Sequence, residues 1–596
     1  MKARFLLGAA AAATVLGGVT IAPRLANQDN GAPFLHPLMM VRAMCGEGTD
    51  GLSQRRAFFI KAASAYAATL QGDENAPPML RSNLGDIGYD ITTSKPEAQA
   101  WFNQGLAFTY NFNHGEAINA FKRAQAIDPD CAMCYWGEAF AWGPNINAPM
   151  GDEAVTPAWE ALQKAMSLRG KASEKEAALI NALHYRYSEV QPEDRSKLDA
   201  AFADAMDEVA KKYPDDDFIV LTAAEANMDT QPWDYWADGG RTPKGRTART
   251  VSLVESVLAR SPDNPAAIHL YIHMTEASRD PYRALKHADR LGALTPGLGH
   301  LVHMPSHSYY VTGKFKESLA TNITAVAADE AYLDSVDQAS VMYEYGYYVH
   351  NVHFGLTSAQ MAGAGAEALA MAQKLDAKLP AEMATAAPFV LPIKAAPYYA
   401  MVQFGSPDDI LALEDPGDAL PFLQGTWRYA RGEALARKGD IAAAKKEAEA
   451  IGAILAEHDM TPIVESGVPV IDILNVARLT VIARASAAEG DLASAIEAME
   501  EAASLQEDMP YMEPPWWYYP AKQTLAAYLL QDGQTDRAEQ LFLETLTESP
   551  NNAWVLYGLS ETYKAQGDKN AAKYAGALFK EAWAGDKKSY PSLAAL

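Results

Sequence analysis

Pro265-Ala-Ala-Ile-His269-Leu-Tyr271-Ile-His273-Met-Thr-Glu276 and Gly299-His300-Leu-Val-His303-Met-Pro305-Ser-His307 are the two segments whose spacing decides the fold. His269 to His303 is 34 residues, and His273 to His307 is 34 again. A fixed period of this length marks stacked helix-turn-helix repeats, in which residues one period apart lie side by side. The stretch from His269 to His353 holds eight of the twelve histidines, with His287, His300, His350 and His353 completing the set. An even spread would place about two there.

Working outward, regular units begin near Glu97. Trp101, Gly105, Phe108, Ala117, Phe121, Ala124 and Pro129 fall where two close-packed helices need small residues at the crossing and aromatic rings around it. Cys131 to Trp142 starts the next unit, which the loop Gly143-Pro-Asn-Ile-Asn147 breaks. Helical patterning resumes at Pro157 and runs to Asp229, and an irregular stretch from Thr230 to Gly245 follows. Loops of this kind on a solenoid often carry function. One long apolar and aromatic helix is expected from Ser340 to Gln360. Regular units return at Gly439 with Ala444, Gly490 with Ala495, Gly533 with Ala538, Phe542 and Pro550, and Gly567 with Ala572. The loop Glu513-Pro-Pro-Trp-Trp-Tyr-Tyr-Pro520 is expected to fold over the array. No strand-rich segment is evident, so the fold class is all-α, an α-solenoid. We divide the chain into a leader (1–26), an extension (27–95), an array holding the histidines (96–411) and a second array (412–596).

At 596 residues the chain is too long for one compact core, which agrees with an extended array. A net charge of −25 argues against a nucleic-acid partner, because a phosphate backbone needs clustered Lys and Arg. Lys2 and Arg4, followed by the apolar run Phe5 to Ala22, read as an export signal. Pro23 is a poor first residue for a mature chain, so an uncleaved N-terminal anchor is the alternative. Nothing later reaches the length of a membrane span. The expected location is the periplasm or cell envelope of a bacterium. Cys131 and Cys134 are open to oxidation or metal binding in an exported chain, and small apolar filling near a helix start is the plainer role. Tyr135 stands where covalent haem attachment needs His. His36, Met39, Met40, Met44 and Cys45 cluster soft ligand types, for which chance is the plainer reading.

The units resemble tetratricopeptide repeats from Glu97 to Trp583, with Gly313, Phe315, Ser318, Gly533, Ala538, Phe542 and Pro550 at matching positions. Within that superfamily the chain is similar to a bacterial group sharing His303-Met-Pro-Ser-His307, His350-Asn-Val-His353-Phe and the Glu513–Pro520 motif. The resemblance implies geometry rather than an activity. The first helix of each pair lines a concave groove through its positions 2, 5 and 9. His269 and His273 then take positions 5 and 9 of one repeat, and His300, His303 and His307 take positions 2, 5 and 9 of the next.

Residues four apart on a helix lie about 6 Å apart along its axis, and neighbouring helices run about 10 Å apart. His269, His273, His300, His303 and His307 can therefore give three nitrogens to one ion or share two ions, with His350 and His353 completing the set. Glu276, three after His273, could add an oxygen. Imidazole-rich sites suit copper or zinc, whereas calcium and magnesium want oxygen. Seven histidines divide as three plus three with one to spare, the ligand count of a pair of copper ions. Tyr271, Tyr343 and Trp136 at or near groove positions point to a closed, aromatic-walled pocket, although packing is the commoner role for such rings. His287 falls on a second helix and stands outside the site. Pro305 bends its helix between His303 and His307. The leading expectation is a copper-dependent oxidation of a small molecule or peptide held in the groove. A zinc-dependent hydrolase uses the same ligands, and the rival of another class is a non-catalytic scaffold for protein or peptide partners.

Overall fold

The computed structural model describes residues 79–596, apart from 148, 338, 341, 382–389 and 466. The leader, the cluster around Cys45 and most of the 27–95 extension lie outside the described residues.

The chain is an α-solenoid whose helices pack as successive antiparallel pairs. The first pair is Pro96–Tyr110 and His114–Ile127. Pro96 starts the first helix where a missing N–H costs nothing, and the Asn113 side chain caps the second by accepting from the backbone N–H of Glu116. Phe121 explains the repeat's small residues. Its ring is fully buried between Gly105 and Gly137, and a Cβ added to either glycine would lie 2.5 Å from it. Gly558 meets Phe542 in the same way near the other end of the array, at 2.3 Å. In the later pairs, Gly439, Gly490 and Gly567 end their helices at φ of 80°, 86° and 81°, and the next residue, Asp440, Asp491 or Asp568, caps the following helix. Those two residues turn the chain back on itself. Among the described residues the strands are confined to Trp236–Ala237, paired antiparallel with Thr242–Pro243 inside the irregular 230–245 stretch.

Cys131 and Cys134 are joined in a buried disulfide, so their role as small apolar filler is combined with a covalent link. The long aromatic helix runs as a π turn, Tyr343–Tyr347, continued by Tyr348–Ala362. Pro305 divides its helix into Gly299–His303 and Pro305–Val311, having no N–H to offer the carbonyl four residues back.

Both flanks of the array fold back onto the segment between residues 297 and 363. From the N-terminal side, Gly297 N donates to Asn83 O at 2.8 Å, and Asn111 bridges Leu301 N and the Tyr343 hydroxyl. From the C-terminal side, Trp554 Nε1 donates to Gln360 O at 3.0 Å and Ala584 N to Ala362 O at 2.8 Å. Gly313, at φ 75°, lies so close to Pro550 that a Cβ would sit 1.9 Å from its carbonyl oxygen. The helices that carry the histidines are thereby enclosed rather than left along an open groove. Every residue of Pro265–Thr275 is buried. No helix of the described residues is long and apolar enough to cross a membrane.

Candidate metal centre

His269 and His273 project from one face of Pro265–Thr275, and His300 reaches them from the next first helix. Their Nε2 atoms converge: His269 lies 3.0 Å from His273 and 3.2 Å from His300. His303, His307 and His350 form a second trio, again through Nε2, with separations of 2.8, 3.1 and 3.4 Å. The trios are adjacent, with ring centroids of His300 and His303 6.1 Å apart and those of His273 and His307 also 6.1 Å apart. All six side chains are buried to within 1% of full exclusion from solvent.

The hydrogen-bond chemistry of the second trio is fixed from behind. Asn322 donates its amide N–H to Ser318 O, so its Oδ1 is the acceptor at 2.6 Å from His303 Nδ1. His303 therefore carries its proton on Nδ1 and a lone pair on Nε2. His307 Nδ1 lies 2.7 Å from Glu276 Oε2 and 3.2 Å from Glu513 Oε2, and two carboxylates likewise call for a proton on that nitrogen. With His307 neutral, two Nε2 lone pairs would face each other across 2.8 Å, with His350 Nε2 close to both. An imidazole nitrogen offers one proton or one lone pair, never both, so three cannot satisfy one another. A cation shared among them, a proton or a metal ion, relieves that conflict. A proton on His307 answers part of that need: burial pulls its pKa down, but the Glu276 and Glu513 carboxylates outweigh burial and raise it to about 10. A metal ion answers all of it, because tetrahedral coordination at 2.0–2.1 Å places nitrogens about 3.3 Å apart. Burial holds His303 and His350 well below the ordinary imidazole pKa and takes His269 to about 3, so these rings are neutral, as ligands must be.

Aromatic side chains close the centre. Phe112 packs on His269 at 4.8 Å and on His300 at 5.0 Å, Trp233 meets His273 edge-on at 5.1 Å, and Tyr347 meets His300 at 4.9 Å. Phe354 lies 4.7 Å from His307 and 5.1 Å from His303. Phe112 and Trp233 stand at φ of 54° and 64°. Bulky residues hold such backbone only where their surroundings impose it, commonly at functional sites.

The expected site residues divide as follows. His269, His273, His300, His303, His307 and His350 come together. His353 does not join them. Tyr518 gives its one proton to Pro392 O, so His353 donates Nε2–H to the Tyr518 oxygen at 2.8 Å. Glu276 stands behind His307 on the Nδ1 side, not among the converging Nε2 atoms, and burial raises its pKa to about 7 against the pull of His307. Tyr271, two residues from each of its helix's histidines, faces the opposite way, where its hydroxyl donates to Glu255 and its ring packs on His287. Trp136 is buried elsewhere, stacked on Phe140 and donating to Leu179 O. Tyr343 donates to Asp329 and accepts from Asn111, and Tyr347, one turn later, supplies the ring against His300. Sequence reasoning missed Phe112, Trp233, Phe354, Asn322 and Glu513 as individual residues. Trp233 lies in the irregular 230–245 loop and Glu513 opens the aromatic loop, so the sequence signal for both is the segment rather than the residue.

Two expected outcomes follow here. Glu513→Gln keeps the shape but leaves an amide where a carboxylate orients His307, and metal affinity of the second trio should fall about 10–100-fold, read by competition with a chelator. Unchanged affinity would deny Glu513 that role. The second concerns pH. Burial lowers the His353 pKa to about 3, below the unfolded value near 6.5, so the unfolded chain takes up the proton first. Its contribution is complete above about pH 6.5 and is lost as pH falls toward 3. The stability of the protein relative to His353→Gln should therefore drop by about 2–3 kcal/mol between pH 7 and pH 4.5, measured by denaturant unfolding. A pH-independent difference would contradict it.

Sequence models of the tetratricopeptide repeat match residues 98–131 and 529–574. No curated protein matches the sequence. Among solved structures, a human IFIT1 dimer with m7Gppp-AAAA is similar at 12% identity over 83% of this chain and 95% of its own, with a TM-score of 0.29. Naa15/Naa10 bound to HypK-THB is 14% identical over 82% of this chain and 70% of its own, with a TM-score of 0.21. Yeast Tom70 is 12% identical over 81% and 91%, with a TM-score of 0.23. These likenesses concern the fold alone.

Proposed function

Because the chain belongs to the tetratricopeptide-repeat superfamily and buries six convergent imidazoles inside its array, we propose that it is a metalloprotein holding one transition-metal ion in each histidine trio. The observation that carries this reading is the convergence of six buried imidazoles, through Nε2, into two trios, with His303 and His307 oriented from behind by Asn322, Glu276 and Glu513. Donor chemistry selects the ion. Six imidazole nitrogens, with carboxylates held one ring away, suit copper first and zinc second, and suit calcium or magnesium poorly. Copper held by His269, His273 and His300, and by His303, His307 and His350, would supply one-electron chemistry with dioxygen, suited to oxidation of a small molecule or peptide. The protein's own residues exclude water, fix ring orientation and hold the His307 proton on Nδ1. The basic and apolar pattern of the leader sequence supports the bacterial periplasm or envelope as the site of this activity.

A second reading has support from the repeats themselves, whose usual work is binding protein segments without catalysis. In that case the trios hold a structural ion, and a zinc-dependent hydrolase is the remaining variant. Dioxygen uptake separates the readings. Untagged protein loaded with copper should consume dioxygen in the presence of an oxidisable phenol or peptide thiol, and His303→Ala with His307→Ala should abolish the uptake. Copper-loaded protein that consumes none, but retains a peptide on an immobilised library, would favour the scaffold.

A further inference from the structure

A cavity of about 300 Å³ has Glu513 in its wall. Its wall includes Tyr310, one turn after His307 on the same helix, and Met361, at the end of the helix that carries His350. Met509 and Met512, just ahead of Glu513, line it as well. Methionine makes up 21 of 596 residues, so three among the nineteen lining this space is several times the share expected from composition. Fixed charge there is negative. Glu507, Glu513 and Glu548 face Lys522 alone among the lining residues, and Lys522 is paired with Glu507 and Glu548. Glu513 belongs to both spaces, being in the cavity wall while its Oε2 lies 3.2 Å from His307 Nδ1.

Thioethers are soft, uncharged ligands that favour monovalent copper over zinc and over divalent copper. We infer that this cavity is the entry site from which the buried centre is loaded, a monovalent copper ion being held first by Met361, Met509 and Met512 beside the Glu513 carboxylate, on the Nδ1 side of His307. The inference rests on the copper reading above and deepens it. The ion keeps its oxidation state along the route, and no bond other than its coordination changes. Nearby carboxylates draw the cation in, while the thioethers hold it without the desolvation cost of charged ligands. The centre itself is sealed by aromatic rings, so a defined path is what a buried imidazole site requires.

The test uses the full chain and Met361→Leu, Met509→Leu and Met512→Leu combined, substitutions close in volume that remove only the sulfur. Cu(I) is supplied as its bicinchoninate complex without oxygen, and loss of the complex's colour gives rate and stoichiometry. The expected result is the same final two ions per chain in both proteins, reached at least about tenfold more slowly in the variant. Zn(II) loading should proceed equally in the two, which also shows that the variant is folded. Equal Cu(I) rates would overturn the route while leaving the centre standing. Failure of both proteins to take up any copper would overturn the centre, and the route with it.

Discussion

Replacing His303 and His307 together by alanine removes two of three ligands from one trio and none from the other, so the variant is expected to bind one ion where the parent binds two. The fall should exceed about three orders of magnitude in affinity at the altered trio, since a single imidazole remains there. The reciprocal pair, His269→Ala with His273→Ala, should also leave one ion, and all four substitutions should leave none. Chelator competition followed by metal analysis reads each case. Two properties make the outcome informative. The trios use different helices, His269 and His273 on Pro265–Thr275 and His303 and His307 on either side of Pro305. They are nonetheless adjacent, so partial loss of the second ion would measure their coupling. A four-alanine variant that still binds two ions would place the metal elsewhere.

Phe121→Ala should cost about 3–5 kcal/mol, the largest loss expected from any single apolar truncation near the N-terminal end of the array. The ring fills the space between Gly105 and Gly137, two glycines on different helices that cannot themselves move in to close it. Denaturant unfolding would show a lower midpoint, and because helical repeats couple mainly to their neighbours, the loss should fall first on helices before residue 142. A change below about 1 kcal/mol would mean that the first two helix pairs relax around the void, against the packing described.

The repeat architecture was legible because two independent signals agree: the 34-residue spacing of the histidines, and the Gly-Ala-Phe pattern that fits two crossing helices. Four of the six converging imidazoles, His269, His273, His303 and His307, lie on that period, since stacking repeats sets equivalent positions side by side, whereas His300 and His350 do not. His353 falls outside the trio because of helical geometry. Three residues on from His350 is about 60° off the helix face, and Phe354, four residues on, is the one that meets the trio. His353 turns instead to Tyr518. Tyr271 fails for the same reason on its own helix, lying about 200° around from His269. The remaining parts come from the closure of the superhelix. Glu513 is 206 residues from His307, Phe112 is 157 residues before His269, and neither falls on any period of the sequence. Their places depend on contacts such as Asn111 with Leu301 and Gly313 with Pro550, which no local pattern encodes.

Crystals of untagged protein grown with copper, measured on both sides of the copper absorption edge, test the central claim most directly. The expected anomalous map holds two peaks per chain, one about 2 Å from the Nε2 atoms of His269, His273 and His300, the other at the same distance from those of His303, His307 and His350. Crystals at saturating copper with no peak among these nitrogens, and with His307 bonded through a proton to His303, would contradict it.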